Sequence, residues 1–205
     1  MVGEKIRVCP SMVSNSIFIN NYTAVAMGSL MYVSAQHNIP MREFHIYDQH
    51  PISMARNVAV DEFMKDKDAT HLFFLDRDVV PPIDIVPRLL QHDKLVVGGW
   101  YIRRGNKLPS VFMQGKLGGY VQVSQQELVN ARRKQPLLPV DGNGAGCILI
   151  QREVFNILDK PYFLEMEGSQ GCGEDLFFHS KCRKFGIPTY VDVNLFCRHH
   201  HFILL

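Results

Sequence analysis

The sequence predicts an α/β fold, with a mostly parallel central sheet flanked by helices, and three observations favour this prediction. Short apolar runs alternate with helix-like segments through the amino-terminal half, which is the rhythm of βαβ units. Residues 72–75 form an apolar run without polar alternation, which is typical of a strand buried on both faces. At 205 residues the chain fits one domain and can bury a substantial core without disulfides or structural metal.

The amino-terminal half carries the clearest signals for individual elements. The predicted elements are a strand at 6–9, a loop at 10–15, a helix at 21–36, a strand at 44–47 that ends at Asp48, a helix from Ser53 and a third strand at 70–75. Right-handed crossovers place the three strands parallel, so the loops that follow them meet at one edge of the sheet.

The carboxyl-terminal half is less regular. The predicted elements are a short helix from Pro82 to about His92, a strand at 95–101, a mobile loop at 103–119, apolar alternation at 120–123, a Gly-rich turn and strand at 140–151, a helix from Arg152, a helix from Glu174 to Gly186 and a strand at 188–193. Three cations of the loop, Arg103, Arg104 and Lys107, can neutralise phosphates, although dispersed loop cations are more often a solvated face.

Composition limits the function classes. The formal net charge of +2 is mild and the basic residues are scattered, so we expect anionic small molecules rather than nucleic acid as partners. Five cysteines without a C-x-x-C pair indicate reduced thiols and no zinc site. Neither an apolar leader nor a run long enough to cross a bilayer is present, so we expect a cytoplasmic protein without a membrane span.

Asp76 and Asp78 follow the apolar run and are the most informative pair in the chain. Two residues apart on an extended backbone, they point to one side, just past the carboxyl end of a buried strand, where α/β sheets bind ligands. Adjacent carboxylates repel each other unless they share a cation, and a divalent metal carrying a diphosphate is the simplest such partner. The alternative is that one Asp caps the helix near Pro82 while the other is solvated.

Two further stretches each have two interpretations. The glycines at 142–146 either let the backbone approach a ligand or make a tight turn, and no Gly-Lys-Ser/Thr follows them as in a Walker loop. Glu174 and Asp175 stand at a helix start, directly after a stretch with glycines at 171 and 173. Asp175 therefore either caps that helix or acts as a general base on a sugar hydroxyl.

Three consecutive histidines, His199, His200 and His201, lie near the end of the chain. Consecutive side chains diverge, so at most one or two of them can bind one metal ion. An imidazole added to two Asp oxygens suits Mn²⁺ as well as Mg²⁺, although a lone His is more often structural or exposed.

This order of motifs resembles the GT-A-fold glycosyltransferases of the family-2 type over nearly the whole chain. The resemblance rests on a βαβ half, an apolar strand that closes on Asp-x-Asp, a Gly-rich strand, a Glu-Asp helix start and a late His. It implies a GT-A-like nucleotide-sugar-binding fold in one domain, 1–205, with a nucleotide-sugar-binding half at 1–103 and an acceptor and catalytic half at 104–205. The chain is also similar to amino-terminal domains of chlorella-virus glycosyltransferases that build capsid glycans, which implies part of a longer viral protein in the host cytoplasm.

The resemblance implies a role for individual residues. Asp78 is the more direct metal ligand of the D-x-D pair, and Asp76 lies closer to the ribose or to a metal-bound water. His199 matches the late metal-ligand His, so the expected metal site is Asp76, Asp78 and His199. Asp175 matches the catalytic base, with Glu174 beside it on the acceptor side. The expected nucleotide-sugar-binding residues are Pro10, Ser11, Asp48, Arg56, Asp76, Arg77 and Asp78.

The implied reaction transfers a sugar from a nucleotide sugar, most often a UDP-sugar, to a hydroxyl of a glycan or glycoprotein, with Mn²⁺ or Mg²⁺ bridging the diphosphate. Asp175 deprotonates the acceptor hydroxyl that attacks the anomeric carbon, and a single in-line displacement inverts that centre. The carboxyl-terminal part is short for an enzyme of this type, which normally holds its acceptor there. The acceptor is therefore not readable from the sequence.

Two other classes fit part of the pattern. The Asp76-x-Asp78 spacing also resembles the nucleophile motif of haloacid-dehalogenase-like phosphatases, in which one Asp is phosphorylated. That motif usually ends the first strand, whereas two βα units precede Asp76 here. A nucleotide- or carbohydrate-binding module without turnover is the third interpretation, and the joint presence of the Asp pair, Asp175 and His199 argues against it.

Overall fold

The structure, a computed structural model, describes residues 6–14, 21–43, 45–116, 118–165 and 173–200. Its elements are, in chain order, β1 (Val8–Ser14), α1 (Asn21–Gln36), β2 (His45–Asp48), α2 (Ile52–Lys65), β3 (His71–Asp76), β4 (Val79–Val80), α3 (Ile85–Gln91), β5 (Val96–Trp100), β6 (Val111–Gln114), β7 (Tyr120–Gln122), α4 (Gln125–Lys134), β8 (Leu137–Val140), β9 (Gly142–Asn143), β10 (Cys147–Gln151), α5 (Arg152–Ile157), α6 (Glu174–Lys184), β11 (Thr189–Phe196) and β12 (Arg198–His199). No helix in these ranges combines the length and the apolar character needed to cross a bilayer.

A seven-stranded sheet in the order β2-β1-β3-β10-β5-β11-β8 forms the centre of the molecule. β1 pairs in parallel with β2 and β3, and β5 with β11, whereas β10 is antiparallel to both of its neighbours and β8 is antiparallel to β11. All strands of this sheet except β10 and β8 therefore share one direction. The predicted α/β fold with a mostly parallel sheet flanked by helices is confirmed. Strands that precede residue 103 in the sequence and strands that follow it both belong to this sheet. The division of the chain into two functional halves stays a prediction.

β3 is buried on both faces, as the apolar run predicts. Leu72 and Phe74 pack into a core cluster with α2, α5 and α6, whereas Phe73 and Leu75 pack into a second cluster with α1 and α3. All four side chains are 0% exposed, and burying each contributes roughly 2 kcal/mol. The carboxyl end of β3, and with it Asp76, is thus held by core packing on both sides of the sheet.

The first strand is longer than the sequence indicates. β1 continues to Ser14, so Pro10 and Ser11 lie inside a strand and the prediction of a loop from residue 10 is wrong. The pairing of β1 with β2 begins at Ser11, so the proline precedes the stretch in which β1 has neighbours on both sides. At the carboxyl edge, Val13 lies opposite Asp76.

The segment predicted as a mobile loop contains regular structure. Ile102 bridges Pro109, and the N–H of Ser110 donates to the carbonyl of Tyr101 at 2.8 Å, which closes a hairpin around residues 103–108. The strand β6 follows this hairpin and pairs with β7 and β9. The prediction is wrong because Gly, Lys and Pro composition does not distinguish a hairpin tip from an unstructured loop.

Helix α4 has a sequence signal that the predicted elements omit. Ser124 and Glu127 form a capping box, in which the N–H of Glu127 donates to Ser124 Oγ at 3.2 Å and the N–H of Ser124 donates to the Glu127 carboxylate at 2.7 Å. The Ser-x-x-Glu spacing was therefore sufficient to place the start of this helix. The thiols of Cys9, Cys147, Cys182 and Cys197 are free and buried, and Cys172 lies outside the described residues.

Candidate active site

The candidate site begins where β3 ends. Asp76 is the last residue of β3, and Asp78 lies in the turn before β4. β12 pairs antiparallel with β4, which places His199 opposite Val79, and the N–H of His200 donates to the carbonyl of Asp78 at 2.8 Å. This small two-stranded sheet is the reason that a late histidine reaches the Asp-x-Asp turn.

Both aspartates face the same cavity. Its volume is about 560 Å³, and it is lined by Asp76, Asp78, Tyr101, Arg103, Arg104, Gly105, Asn106 and His199. The expectation that the two carboxylates lie together past the end of a buried strand is therefore confirmed. Neither aspartate caps the following helix, because α3 begins at Ile85 with Asp84 as its N-cap residue.

Arg56 joins the two acidic stretches of the sequence. Its Nη2 donates to the two oxygens of Asp76 at 3.0 and 3.3 Å, and its Nε donates to Glu174 Oε1 at 3.0 Å. The side chain is 2% exposed, and its guanidinium lies over the rings of Phe74 and Phe163 at 5.2 and 6.0 Å. Burial by itself lowers the pKa of Arg56, but Asp76 and Glu174 raise it above its ordinary value, so the group stays charged.

Asp175 combines a raised pKa with a place at a helix start. Gly173 is the N-cap residue of α6 and makes no side-chain cap, whereas Asp175 Oδ1 accepts the N–H of Leu176 at 2.7 Å. Burial, and then the charge of Glu174, raise the pKa of Asp175 to about 6. The carboxylate thus lies in the range where a general base works near neutral pH, while it also satisfies one N–H of the first helical turn.

Tyr101 belongs to the site and was missed by sequence reasoning. The N–H of Gly146 donates to its hydroxyl at 3.3 Å. Burial, followed by Asp76 and Asp175, raises the pKa of Tyr101 well above its ordinary value, so the phenol stays protonated. Its position directly after β5, at the same sheet edge as Asp76, was the available signal.

The Gly-rich turn makes room for side chains of the site itself. A Cβ on Gly144 would lie 2.3 Å from the Tyr101 hydroxyl, and one on Gly146 would lie 2.9 Å from Asp76 Oδ2. Neither glycine has a positive φ, so left-handed backbone is not what requires glycine here. Tyr101 and Asp76 therefore account for glycine at these two positions, and close approach of a ligand to the turn stays a prediction.

The donor set around His199 fits a divalent cation. His199 Nδ1 lies 2.8 Å from the carbonyl of Ile102, and a carbonyl only accepts, so Nδ1 carries the proton. Burial lowers the pKa of His199, which keeps the ring neutral and leaves the lone pair on Nε2. That nitrogen lies 3.4 Å from Asp78 Oδ1. A lone pair facing a carboxylate oxygen suits a shared metal ion.

The third expected ligand is placed differently. Asp76 is engaged by Arg56, and within the described ranges no three His, Cys, Asp or Glu side chains are grouped so that they could hold a metal. Asp78 and His199 therefore fit an ion whose remaining ligands come from substrate phosphates and water, as is common for Mg²⁺. The ligand roles of Asp76, Asp78 and His199 stay predictions.

The remaining expected nucleotide-binding residues are dispersed. Arg77 is half-buried in the turn, and Asp48 is exposed at the end of β2, opposite Ser14 of β1. Pro10 and Ser11 are buried inside β1, and Ser11 lies opposite Phe74 rather than Asp76. Their expected place in a loop at the sheet edge is therefore wrong, because β1 extends beyond them. His201 lies outside the described residues.

Comparisons with known proteins bear on the fold. No family model matches the chain, and no curated protein matches it. Among solved structures, A197 from STIV superposes with a TM-score of 0.65 at 22% identity, over 96% of this chain and 87% of that one. GalNAc-T7 with UDP, GalNAc and Mn²⁺ superposes with a TM-score of 0.57 at 12% identity, over 98% of this chain and 45% of that one. The inositol-1-phosphate CTP transferase from T. maritima superposes with a TM-score of 0.50 at 10% identity, over 96% of this chain and 89% of that one.

These likenesses define the class of fold. The chain has a GT-A-like α/β fold, similar to the folds of a structure named for a GalNAc transferase and one named for a CTP transferase. At identities of 10 to 22%, these structural neighbours indicate the fold of the chain and not its activity. The family-2 type and the likeness to capsid-glycan enzymes stay predictions.

The buried position of Arg56 generates the first testable prediction. Arg56→Met leaves the carboxylates of Asp76 and Glu174 without their shared cation, so the free energy of unfolding should fall by about 3 kcal/mol or more. Urea unfolding of the variant and of the wild type measures this difference in the free energy of unfolding. Lys65→Met is the matched control, because it removes an exposed pair with Glu62 and should cost less than about 1 kcal/mol. Equal losses in the two variants would contradict the structural role of Arg56.

Proposed function

We propose that the protein is a metal-dependent glycosyltransferase, which moves a sugar from a nucleotide sugar, a UDP-sugar, to a hydroxyl of a glycan or glycoprotein with inversion. The observation that carries this proposal is the cavity at the carboxyl edge of the sheet. Asp78 and His199 lie together in this cavity. Arg56 donates hydrogen bonds both to Asp76, which lines the cavity, and to Glu174 at the start of α6. The GT-A-like fold supports the proposal, as does the Mn²⁺ and UDP named with one structural neighbour.

The donor's diphosphate belongs beside Asp78. In this proposal Asp78 and His199 would hold Mn²⁺ or Mg²⁺, which would supply Lewis-acid stabilisation of the charge on the departing diphosphate. Asp76, held by Arg56, orients the ribose or an ordered water rather than serving as a main ligand. Arg103 and Arg104 line the same cavity and add positive charge where the phosphates lie.

Asp175 takes the proton of the acceptor. The acceptor oxygen forms a bond to the anomeric carbon, the bond from that carbon to the diphosphate breaks, and the hydroxyl proton passes to the Asp175 carboxylate. Burial, and then the charge of Glu174, raise the pKa of Asp175, which makes that carboxylate basic enough to accept the proton. Attack opposite to the leaving group inverts the anomeric centre.

The phosphatase alternative gains no support from Asp76. Both oxygens of Asp76 accept hydrogen bonds from Arg56, and hydrogen bonding to a carboxylate makes it a weaker nucleophile. A bound guanidinium also lowers the negative charge available for attack on phosphorus.

A calorimetric titration tests the proposed function. Nucleoside diphosphates and UDP-sugars are added with and without Mn²⁺, and the proposal expects UDP binding that depends on the metal. Hydrolysis of an aryl phosphate with a trapped aspartyl-phosphate would instead establish the phosphatase. UDP-sugar binding without any transfer to added glycans or water would favour the binding module.

Substitutions of the two proposed ligands should differ in effect. Asp78→Ala removes a charged oxygen ligand, so Mn²⁺-dependent UDP binding should be abolished, while His199→Ala removes a neutral ligand that water replaces in part and should weaken binding less. Asp84→Ala is the matched control, because Asp84 lies at the start of α3 and outside the cavity lining. His200→Ala should have a smaller effect than His199→Ala. A larger effect at His200 would move the ligand assignment by one residue.

Asp175→Asn separates catalysis from capping. Asn keeps the shape and one hydrogen-bond acceptor but takes no proton, so the transfer rate should fall about 10²-fold or more while UDP affinity in Mn²⁺ hardly changes. A residue that serves only the helix start would tolerate Asn, because Asn satisfies a first-turn N–H about as well as Asp. Near-wild-type turnover of this variant would remove Asp175 from the mechanism.

The raised pKa of Asp175 also predicts a pH profile. The base must be ionised, so the transfer rate at saturating donor should rise with pH through about 6 and level off above it. The residual rate of Asp175→Asn should lack this rise. The free energy of unfolding should change in the opposite direction and fall as the pH rises from about 4 to 6. The reason is that ionising a carboxylate whose pKa is raised in the folded state costs free energy over this range. A flat wild-type rate profile between about pH 5 and 8 would rule out this assignment.

A further inference from the structure

Arg104 pairs with the carboxylate that the proposed function assigns to the metal. Its Nη2 forms an ion pair with Asp78 Oδ2, and the same nitrogen donates to the carbonyl of His200 at 3.5 Å. The other oxygen of Asp78 faces His199 Nε2 at 3.4 Å. Asp78 therefore already has a monovalent cation at one oxygen and a nitrogen lone pair near the other.

Arg104 lies at the tip of a hairpin whose base is fixed. The N–H of Arg103 donates to the carbonyl of Leu108 at 2.9 Å, and the Ser110 to Tyr101 hydrogen bond closes the hairpin behind it. Residues 103–108 are exposed, and the Arg104 side chain is 42% exposed. A long, exposed side chain on a fixed backbone changes rotamer rapidly, so Arg104 can change its partner without any change of fold.

The neighbouring cation of the hairpin is held differently. The guanidinium of Arg103 lies over the ring of Phe112 at 5.5 Å, which gives it a partner away from Asp78. Among the described residues that line the cavity, Arg104 is thus the loop cation paired with a carboxylate of the site.

A metal ion and Arg104 are competitors for Asp78 until a diphosphate is present. Two cations at one carboxylate repel each other, so the Arg104 pair opposes binding of the bare metal. A diphosphate brings negative charge next to the metal and offers oxygens that match the fork of a guanidinium. The position of Arg104 within the same cavity lets its side chain turn from Asp78 to those oxygens.

We propose that Arg104 exchanges partners when the donor binds: it holds Asp78 in the absence of donor, and it binds the donor's diphosphate once a metal ion occupies Asp78. This inference rests on the proposed function, since it requires a metal ion and a nucleoside diphosphate in the cavity. Arg104 thereby weakens binding of the metal alone and strengthens binding of the metal and nucleotide together. Because such coupling is reciprocal, UDP raises the affinity for Mn²⁺ by the factor with which Mn²⁺ raises the affinity for UDP.

Arg104→Gln tests the exchange through two affinities that should move in opposite directions. The signal of free Mn²⁺ in electron paramagnetic resonance gives the Mn²⁺ affinity without nucleotide, and calorimetry gives the UDP affinity at saturating Mn²⁺. Without nucleotide, Arg104→Gln should bind Mn²⁺ about two- to fivefold more tightly, because a partly exposed competing ion pair is gone. At saturating Mn²⁺ it should bind UDP about 10-fold or more weakly, because a charged hydrogen bond to phosphate is lost.

Arg132→Gln is the matched control, since it removes the same charge from an exposed position on α4 and should change neither affinity. If wild type and Arg132→Gln show Mn²⁺-dependent UDP binding and Arg104→Gln matches them in both affinities, the exchange is wrong and the proposed function stands. If Arg104→Gln weakens both affinities, Arg104 acts only as a fixed support and the exchange is again wrong. If wild type shows no Mn²⁺-dependent UDP binding, the proposed function fails and the exchange fails with it.

Discussion

The buried guanidinium of Arg56 is the interaction on which the site depends. It donates to Asp76 from β3 and to Glu174 from α6, and no other cation in the described residues contacts both carboxylates. Without it, two carboxylates would face each other in a region closed off by aromatic rings, at a cost of several kcal/mol. The end of β3 and the start of α6 are thus held together by one charge, which comes from α2, a helix that precedes both in the chain.

This arrangement divides the acidic residues between different tasks. Asp76 is paired with Arg56, whereas Asp78, which lines the same cavity, faces His199 with one oxygen and pairs with Arg104 through the other. Glu174 is held by the same arginine, and the pKa of Asp175 is raised to about 6 by its own burial and then by the charge of Glu174. In the proposed mechanism, Arg56 therefore positions the residues for two separate events, which are binding of a metal-diphosphate at Asp78 and removal of a proton by Asp175. Both belong to the proposed transferase chemistry.

The parts of the fold that follow from local pattern were predictable, and the parts set by distant pairing were not. The apolar run of β3 and the start and stop signals of α1 and α2 identify these elements, and parallel crossovers place the Asp pair at the sheet edge. The length of β1 depends on its partner strands, and the approach of His199 depends on β12 pairing with β4, far away in sequence. Tyr101 carried a signal only in its place after a strand, and the pairing of Arg56 with Glu174 carried none.

The assignment of the metal site to Asp78 and His199 is tested most directly by the anomalous scattering of manganese in crystals of the protein grown with MnCl₂ and UDP. We expect a manganese peak between Asp78 and His199 Nε2, with the diphosphate of UDP next to it, Asp76 still paired with Arg56, and Arg104 on the phosphate oxygens. A manganese-UDP complex bound away from Asp78 and His199, or UDP bound in the cavity with no manganese peak, would contradict it.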